Sequence, residues 1–313
     1  KKNNFMDIKN IIAAISLSAL VLILYSLFFA PPPPDLNEQK NKIENTKNNS
    51  DISSPKIEKK VETKVISRDS ALDLSERIKI ENNNIIGSIS LKGAIIDDLI
   101  FKKYTTELNS NQNVILLNPT SMEEGYFVES GWSSTDKNIE LPNNSSIWTA
   151  RGNNKLTPNN PVVLEWINKQ GIIFTNTYQL DEKYLVKLNQ KIENKSDSTF
   201  DFYPYAQIIR NTKPEVTNFY ILHEGMLGVF NDELEEQDYD DIDEKKFSVN
   251  SSDGWLGITD KYWITALVPD KNKNFKSEFE YENRYKANFI ITDPYESKPN
   301  QIISNNTKIF VAA

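Results

Sequence analysis

The one side chain in this sequence that ordinarily titrates near neutral pH is His223, which stands beside Glu224 in Ile221-Leu222-His223-Glu224-Gly225. A histidine next to a carboxylate can serve as a general base or a metal ligand. Both uses need company: a nucleophile and an orienting group for acyl chemistry, or several further His, Cys or acid ligands for zinc. The chain has 1 His and 0 Cys, so a histidine at a strand end, ahead of a turn, is the better reading. The acids between Asp232 and Glu244 could be taken for a calcium loop. They lack the glycine and the alternate spacing such a loop needs, and a run of like charge reads as a solvated, mobile loop. No G-x-S-x-G, P-loop, G-x-G-x-x-G or H-E-x-x-H occurs. A carboxylate pair for glycoside hydrolysis stays open, because acids abound and their separation is invisible in a sequence. No catalytic, cofactor-binding or metal-binding residue is assigned, and no cofactor is expected.

Aromatic residues make up 11% of the chain, with 5 Trp. They could line a sugar cleft, but more often they fill the core of a wide sandwich. Trp148, Trp166, Trp255 and Trp263 sit inside strand-like runs, which favours the core. Trp132, beside Gly131 in a looser stretch, is the tryptophan expected at the surface. The formal net charge is -8, from 36 basic and 44 acidic residues. That balance argues against nucleic acid as a partner, and against binding anionic lipid headgroups by overall charge.

The elements that carry these residues begin with Ile11 to Ala30, an uncharged apolar run. As a helix rising about 1.5 Å per residue it spans roughly 30 Å, the hydrocarbon thickness of a bilayer. The bulky exit Phe28-Phe29-Ala30-Pro31 suits an uncleaved signal anchor better than a cleaved signal peptide. Lys1, Lys2 and Lys9 against Asp7 favour a cytoplasmic N-terminus over residues 1–10. Residues 31–74 read as a flexible, disordered linker: Pro31 to Pro34 leave the membrane extended, and a mixed-charge stretch poor in aromatics follows. A short helix near Asp69 to Arg77 is possible there, capped by Asp69 or Ser70.

From residue 75 to 313 short runs rich in Ile, Val, Phe and Tyr alternate with Asn, Asp, Gly and Pro. Arg77–Glu81 and Tyr184–Ile192 alternate, the latter with Tyr184, Val186, Leu188 and Ile192 on one face. Val162–Ile167 and Ile172–Leu180 read as a hairpin, as do Trp255–Ile258 and Tyr262–Val268. Further strands are expected at Ile85–Leu91, Val114–Leu117, Ile147–Ala150, Phe200–Tyr203, Phe219–Leu222, Tyr285–Thr292 and Lys308–Ala312. No stretch here sustains a 3.6-residue apolar period. The pattern predicts an all-β domain, a large antiparallel sandwich.

The start Met6-Asp7-Ile8-Lys9-Asn10, one anchor, a charged tether and a large β domain together resemble the N-terminal half of the bacterial YidC membrane-protein insertase family. The stretches Leu91–Leu99, Phe174–Tyr178, Gly225–Phe230, Asp253–Trp263 and Thr307–Ala312 carry the resemblance as an ordered set. The resemblance implies a mutarotase-like β-supersandwich in the periplasm, behind one transmembrane helix in the bacterial inner membrane. It implies a membrane insertase and chaperone whose β domain is a non-enzymatic docking module. The implied partners are the Sec translocon and its accessory subunits, nascent inner-membrane proteins and the lipid bilayer. In the family, insertion is performed by a later five-helix membrane domain. The expectation is therefore that the gene continues past Ala313 into about five more apolar segments of membrane length. Mutarotase-like enzymes use a His pair with a carboxylate, which one histidine cannot supply. Two other readings stand beside this one: a membrane-anchored carbohydrate-binding or carbohydrate-active β-sandwich protein of the envelope, and a generic anchored envelope scaffold.

Overall fold

The computed structural model describes residues 16–18, 20, 55, 66–214 and 223–312. The chain divides into two compact units, 1–50 and 51–313. In the first, residues 16–18 and 20 are helical. The expected anchor over 11–30 and most of the tether lie outside the described residues, as does the strand expected at Phe219–Leu222. Among the described residues no helix is long and apolar enough to cross a membrane.

Among its described residues the second unit is built from strands, in chain order, with two short helices. After α1 (Arg68–Leu72) come β1 (Arg77–Glu81), β2 (Ile85–Ser90), β3 (Ile95–Thr105), β4 (Asn113–Leu117), β5 (Tyr126–Ser134), β6 (Thr149–Arg151) and β7 (Lys155–Leu156). Then follow β8 (Val162–Ile167), β9 (Ile172–Leu180), β10 (Leu185–Asn194), β11 (Phe200–Arg210), β12 (Gly225–Phe230) and β13 (Glu233–Asp238). Helix α2 (Tyr239–Glu244) precedes β14 (Phe247–Ser251), β15 (Gly254–Thr259), β16 (Ile264–Val268), β17 (Phe275–Tyr281), β18 (Tyr285–Ile291), β19 (Tyr295–Ser297) and β20 (Ile302–Ala312).

An 11-stranded sheet runs β14-β17-β18-β11-β5-β3-β2-β1-β7, with β19 and β4 paired to its side, and a 9-stranded sheet runs β13-β12-β15-β16-β20-β10-β9-β8-β6. Apart from the parallel pair β1–β7, neighbouring strands are antiparallel, so directly paired residues share a face. The predicted hairpins form: β8 pairs β9 with Ile167 opposite Ile173, and β15 pairs β16 with Thr259 opposite Ile264. The two inner faces meet in one core. Val186, Leu188 and Ile192 of β10 point there with Phe202 and Ile208 of β11, and Phe174 meets Phe202 edge-on at 6.1 Å. Each such fully buried side chain contributes about 1.5–3 kcal/mol.

Four expectations are corrected here. Trp132 is 3% exposed, stacked edge-on against Phe202 and Tyr295 at 6.2 and 5.7 Å. Its loose-looking surroundings are the middle of β5, a strand hidden in the sequence because Glu129, Ser130 and Gly131 interrupt its apolar pattern. The acidic run is no loop: Glu233–Asp238 is an edge strand paired along its length to β12, and Tyr239–Glu244 is a helix held by buried Tyr239 and Ile242. The hairpin closes through Asn231 and Asp232, both at positive φ, the conformation a two-residue turn of this kind requires. The strand expected to stop at Tyr203 runs on through Pro204 to Arg210. Pro204 falls between the segment paired to β19 and the segment paired to β18, so that side asks no ladder hydrogen bond of its nitrogen. Finally, the short helix near the domain's start covers Arg68–Leu72 and is capped by Ser67, whose Oγ accepts from Ser70 N at 3.3 Å.

Candidate functional site

His223 stands two residues ahead of β12. Its Nδ1 lies 3.1 Å from Asp238 Oδ1 and its Nε2 lies 2.9 Å from the Met226 carbonyl. Both ring nitrogens are therefore engaged, and the ring pins the start of β12 to the end of β13. Among the described residues no group of three or more His, Asp or Glu could hold a metal ion.

The outer face of the 11-stranded sheet carries a row of polar side chains, abreast on four strands: Glu278, Asn288, Gln207 and Glu129. Gln207 donates to Glu129 Oε2 at 2.7 Å, and Asn288 donates to the Glu278 carbonyl at 3.1 Å. Lys246 bridges Glu278 and Glu280 at 2.9 and 2.8 Å, Lys276 reaches Glu278 at 2.9 Å, and Lys286 pairs with Glu280. Burial alone would raise the Glu280 carboxyl, but hydrogen bonds from Lys246 and Lys286 outweigh it and hold it below the usual range. These charges satisfy one another, and the network braces the sheet.

Two more ion clusters fasten elements together. Arg210 of β11 reaches Asp260 of the β15–β16 turn at 2.7 Å and Tyr239 of α2 at 3.3 Å, with its guanidinium 4.8 Å from the centre of the Tyr126 ring. One arginine thus ties both sheets to the helix. Where the chain enters the domain, Arg68 pairs with Asp98 and Arg77 with Asp97. Burial raises the Asp97 carboxyl despite that arginine.

The outer face of the 9-stranded sheet is different. Register places Leu227, Gly257, Ala266 and Phe310 abreast in one row, with Val229, Trp255 and Val268 beside them. Gly257 and Ala266 are buried, whereas Phe310 is 38% and Leu234 58% exposed. The result is an apolar trough with a floor of small residues and taller walls. A Cβ on Gly257 would lie 2.5 Å from the Thr265 carbonyl oxygen, so the floor must stay bare. On one side the trough meets the acidic edge strand β13. On the other it meets a polar stretch holding two adjoining depressions of about 350 and 430 Å³, both lined by Gln179 and Lys187.

None of the trough was named from the sequence as a site. The signal was there in the alternation of β12 and β15, but which alternate set faces solvent depends on what the other sheet covers. The structure brings Trp255 to this trough, holds Trp132 and Trp148 in the core, and brings His223 to the acidic edge rather than to any cleft.

The family model described as the YidC periplasmic domain matches residues 77–313. A protein of Pelagibacter ubique named membrane protein insertase YidC is 50% identical over 311 residues, 98% of this chain and 55% of that protein. Its namesake in Rickettsia bellii is 37% identical over 317 residues, again 98% of this chain and 55% of that one. The chain thus spans about half the length of these curated relatives. Among solved structures, the Synechocystis protein Slr1438 superposes with a TM-score of 0.51 at 8% identity, over 76% of this chain and 96% of that one. A galactose mutarotase-like protein of Lactobacillus casei gives a TM-score of 0.50 at 10% identity, over 75% of this chain and all of that one. The second of these likenesses gives a mutarotase-like fold, and neither says anything about activity.

Proposed function

Because this chain belongs to the family of the YidC periplasmic domain, we propose that it is the N-terminal part of a membrane-protein insertase and chaperone. Its layout is a cytoplasmic stretch over 1–10, an anchor over 11–30, a linker over 31–74 and a periplasmic β domain over 75–313. The linker's last turn, α1, is already fastened to the sheet by Arg68. The observation that carries the proposal is the alignment with the Pelagibacter relative, which runs through 98% of this chain at 50% identity.

The β domain works as a docking module without chemistry of its own. Its one histidine is occupied in joining two strands, and the ion network on the 11-stranded sheet is closed on itself. The partners are the Sec translocon with its accessory subunits and nascent inner-membrane proteins, and the bilayer holds the anchor. The surface offered for docking is the trough walled by Leu227, Trp255 and Phe310.

The test is made in inner membranes. A photo-reactive residue replacing Leu234, at the trough's exposed margin, should crosslink to a Sec accessory subunit, and the same group at Lys79 on the far sheet should not. Added protease should reach the domain in spheroplasts but not in inverted vesicles. A domain freely released by alkaline extraction, or saturable binding of the domain to sugars with no crosslink at residue 234, would replace this reading with a carbohydrate-binding one.

A further inference from the structure

Two lysines on the outer face of the 9-stranded sheet are placed against local preference. Lys187 of β10 and Lys308 of β20 are directly opposite each other, and both are exposed. Like charges so paired stand about 4.5–5.5 Å apart at Cβ and repel. Neither has an ion-pair or hydrogen-bond partner among the described residues. Gln179, opposite Lys187 on β9, and Thr177, opposite Asn189, share this face. Their side chains also have no hydrogen-bond partner among the described residues. Four donors are therefore gathered, unspent, on three adjacent strands, around the depression of about 430 Å³ that all four line.

The acids nearby make their hydrogen bonds to other groups, not to these lysines. Asp270 accepts from Lys271 N at 2.9 Å and from both nitrogens of Asn306 at 3.3 Å. Asp181 accepts from Lys183 N and Leu185 N at 2.8 and 2.9 Å. The acidic strand β13 lies four strands from β20, roughly 19 Å at the usual spacing. That exceeds the Debye length of about 8 Å at physiological salt, so the charge of β13 does not cancel this local positive one.

We propose that Lys187, Lys308, Gln179 and Thr177 form a binding site for a phosphate group, whose oxygens would lie between the two ammoniums and take hydrogen bonds from the amide and the hydroxyl. Phe310 and Leu185, paired in the next row, give the site an apolar border. Both a free phosphate and a phospholipid headgroup present this chemistry, and the apolar border gives reason to try each. The proposal does not depend on the docking role.

The full chain in a neutral detergent would be treated with an amine-acylating reagent, and modification read at each lysine by mass spectrometry. Millimolar inorganic phosphate should protect Lys187 and Lys308 severalfold relative to Lys79 and Lys137, and chloride at equal ionic strength should not. Short-chain phosphatidylglycerol protecting where phosphatidylcholine does not identifies a headgroup as the source. Protection by inorganic phosphate alone identifies a soluble anion. In Lys308→Gln, protection at Lys187 should vanish while the unfolding midpoint holds or rises, because the repulsion is gone. Protection by chloride as strong as by phosphate, protection at no lysine, or protection of Lys187 that survives Lys308→Gln would overturn the site.

Discussion

Single residues in this domain are held by what lies beside them in space. Glu280 is the clearest titrating case. Its folded carboxyl is held below the ordinary value of 4.5, so its contribution to stability is present above that pH and is lost as pH falls through the lower, folded value. Glu280→Gln should cost about 1.5–3 kcal/mol at neutral pH, the worth of a charge-assisted hydrogen bond. In urea melts at successive pH values, the gap between the variant and the parent should close as pH falls below the ordinary carboxylate range; a gap that stays constant would show that Glu280 is not held by its lysines. Trp132 gives a sharper contrast. A surface tryptophan could be removed at little cost, whereas one packed between Phe202 and Tyr295 should cost about 3–5 kcal/mol on Trp132→Ala. Chemical denaturation measures it, and a loss under 1 kcal/mol would return Trp132 to the surface. Any ligand test built on Trp132→Ala would therefore report unfolding before it reported a lost cleft.

Elements are where charge patterning acquires meaning. The acids of β13 look like a solvated loop because every one remains in contact with water, but they keep it at the free edge of a sheet. An exposed edge offers unpaired N–H and C=O groups to any passing strand, and charge along it discourages that pairing. Changing Glu233, Glu235 and Glu236 together to Gln should leave the unfolding free energy within about 0.5 kcal/mol, as surface changes do. The same triple variant should associate with itself at concentrations where the parent stays monomeric. Analytical ultracentrifugation decides it; an unchanged monomer would mean α2 and its neighbours already shield the edge. Helix α1 is the opposite kind of element, too short to persist alone and dependent on the Arg68–Asp98 pair. Arg68→Ala should speed amide exchange in α1 by tenfold or more, an opening free energy lowered by about 1.4 kcal/mol, while leaving β1 protected. Equal loss in both would make α1 part of the global fold.

At the scale of the whole molecule, a frame also found in a galactose mutarotase-like protein presents one face closed by its own salt bridges and one face open. The open face is apolar at one end and cationic at the other. The expectation drawn from the family is that the gene runs on into about five further apolar segments. Sequencing through the codon for Ala313 tests it directly.

Much of this was legible beforehand. Alternation in Arg77–Glu81, Tyr184–Ile192 and the two hairpins marked strands because a half-buried strand imprints its period of two on the sequence. The ordered family stretches gave the kinship. Strands buried on both faces, such as the first half of β3, carry no such period, and β5 and β17 break theirs with polar residues that face a salt-bridged surface rather than water. The amino-acid sequence by itself determined that the later part of this chain is built almost wholly of strands, and which family it comes from. Only the tertiary structure decided which alternate side chains became core and which became surface. A strand's pattern names two faces but does not say which one the second sheet will cover. That choice put Trp132 inside, gathered Leu227, Trp255 and Phe310 into a trough, and set Lys187 against Lys308 across residues far apart in the chain.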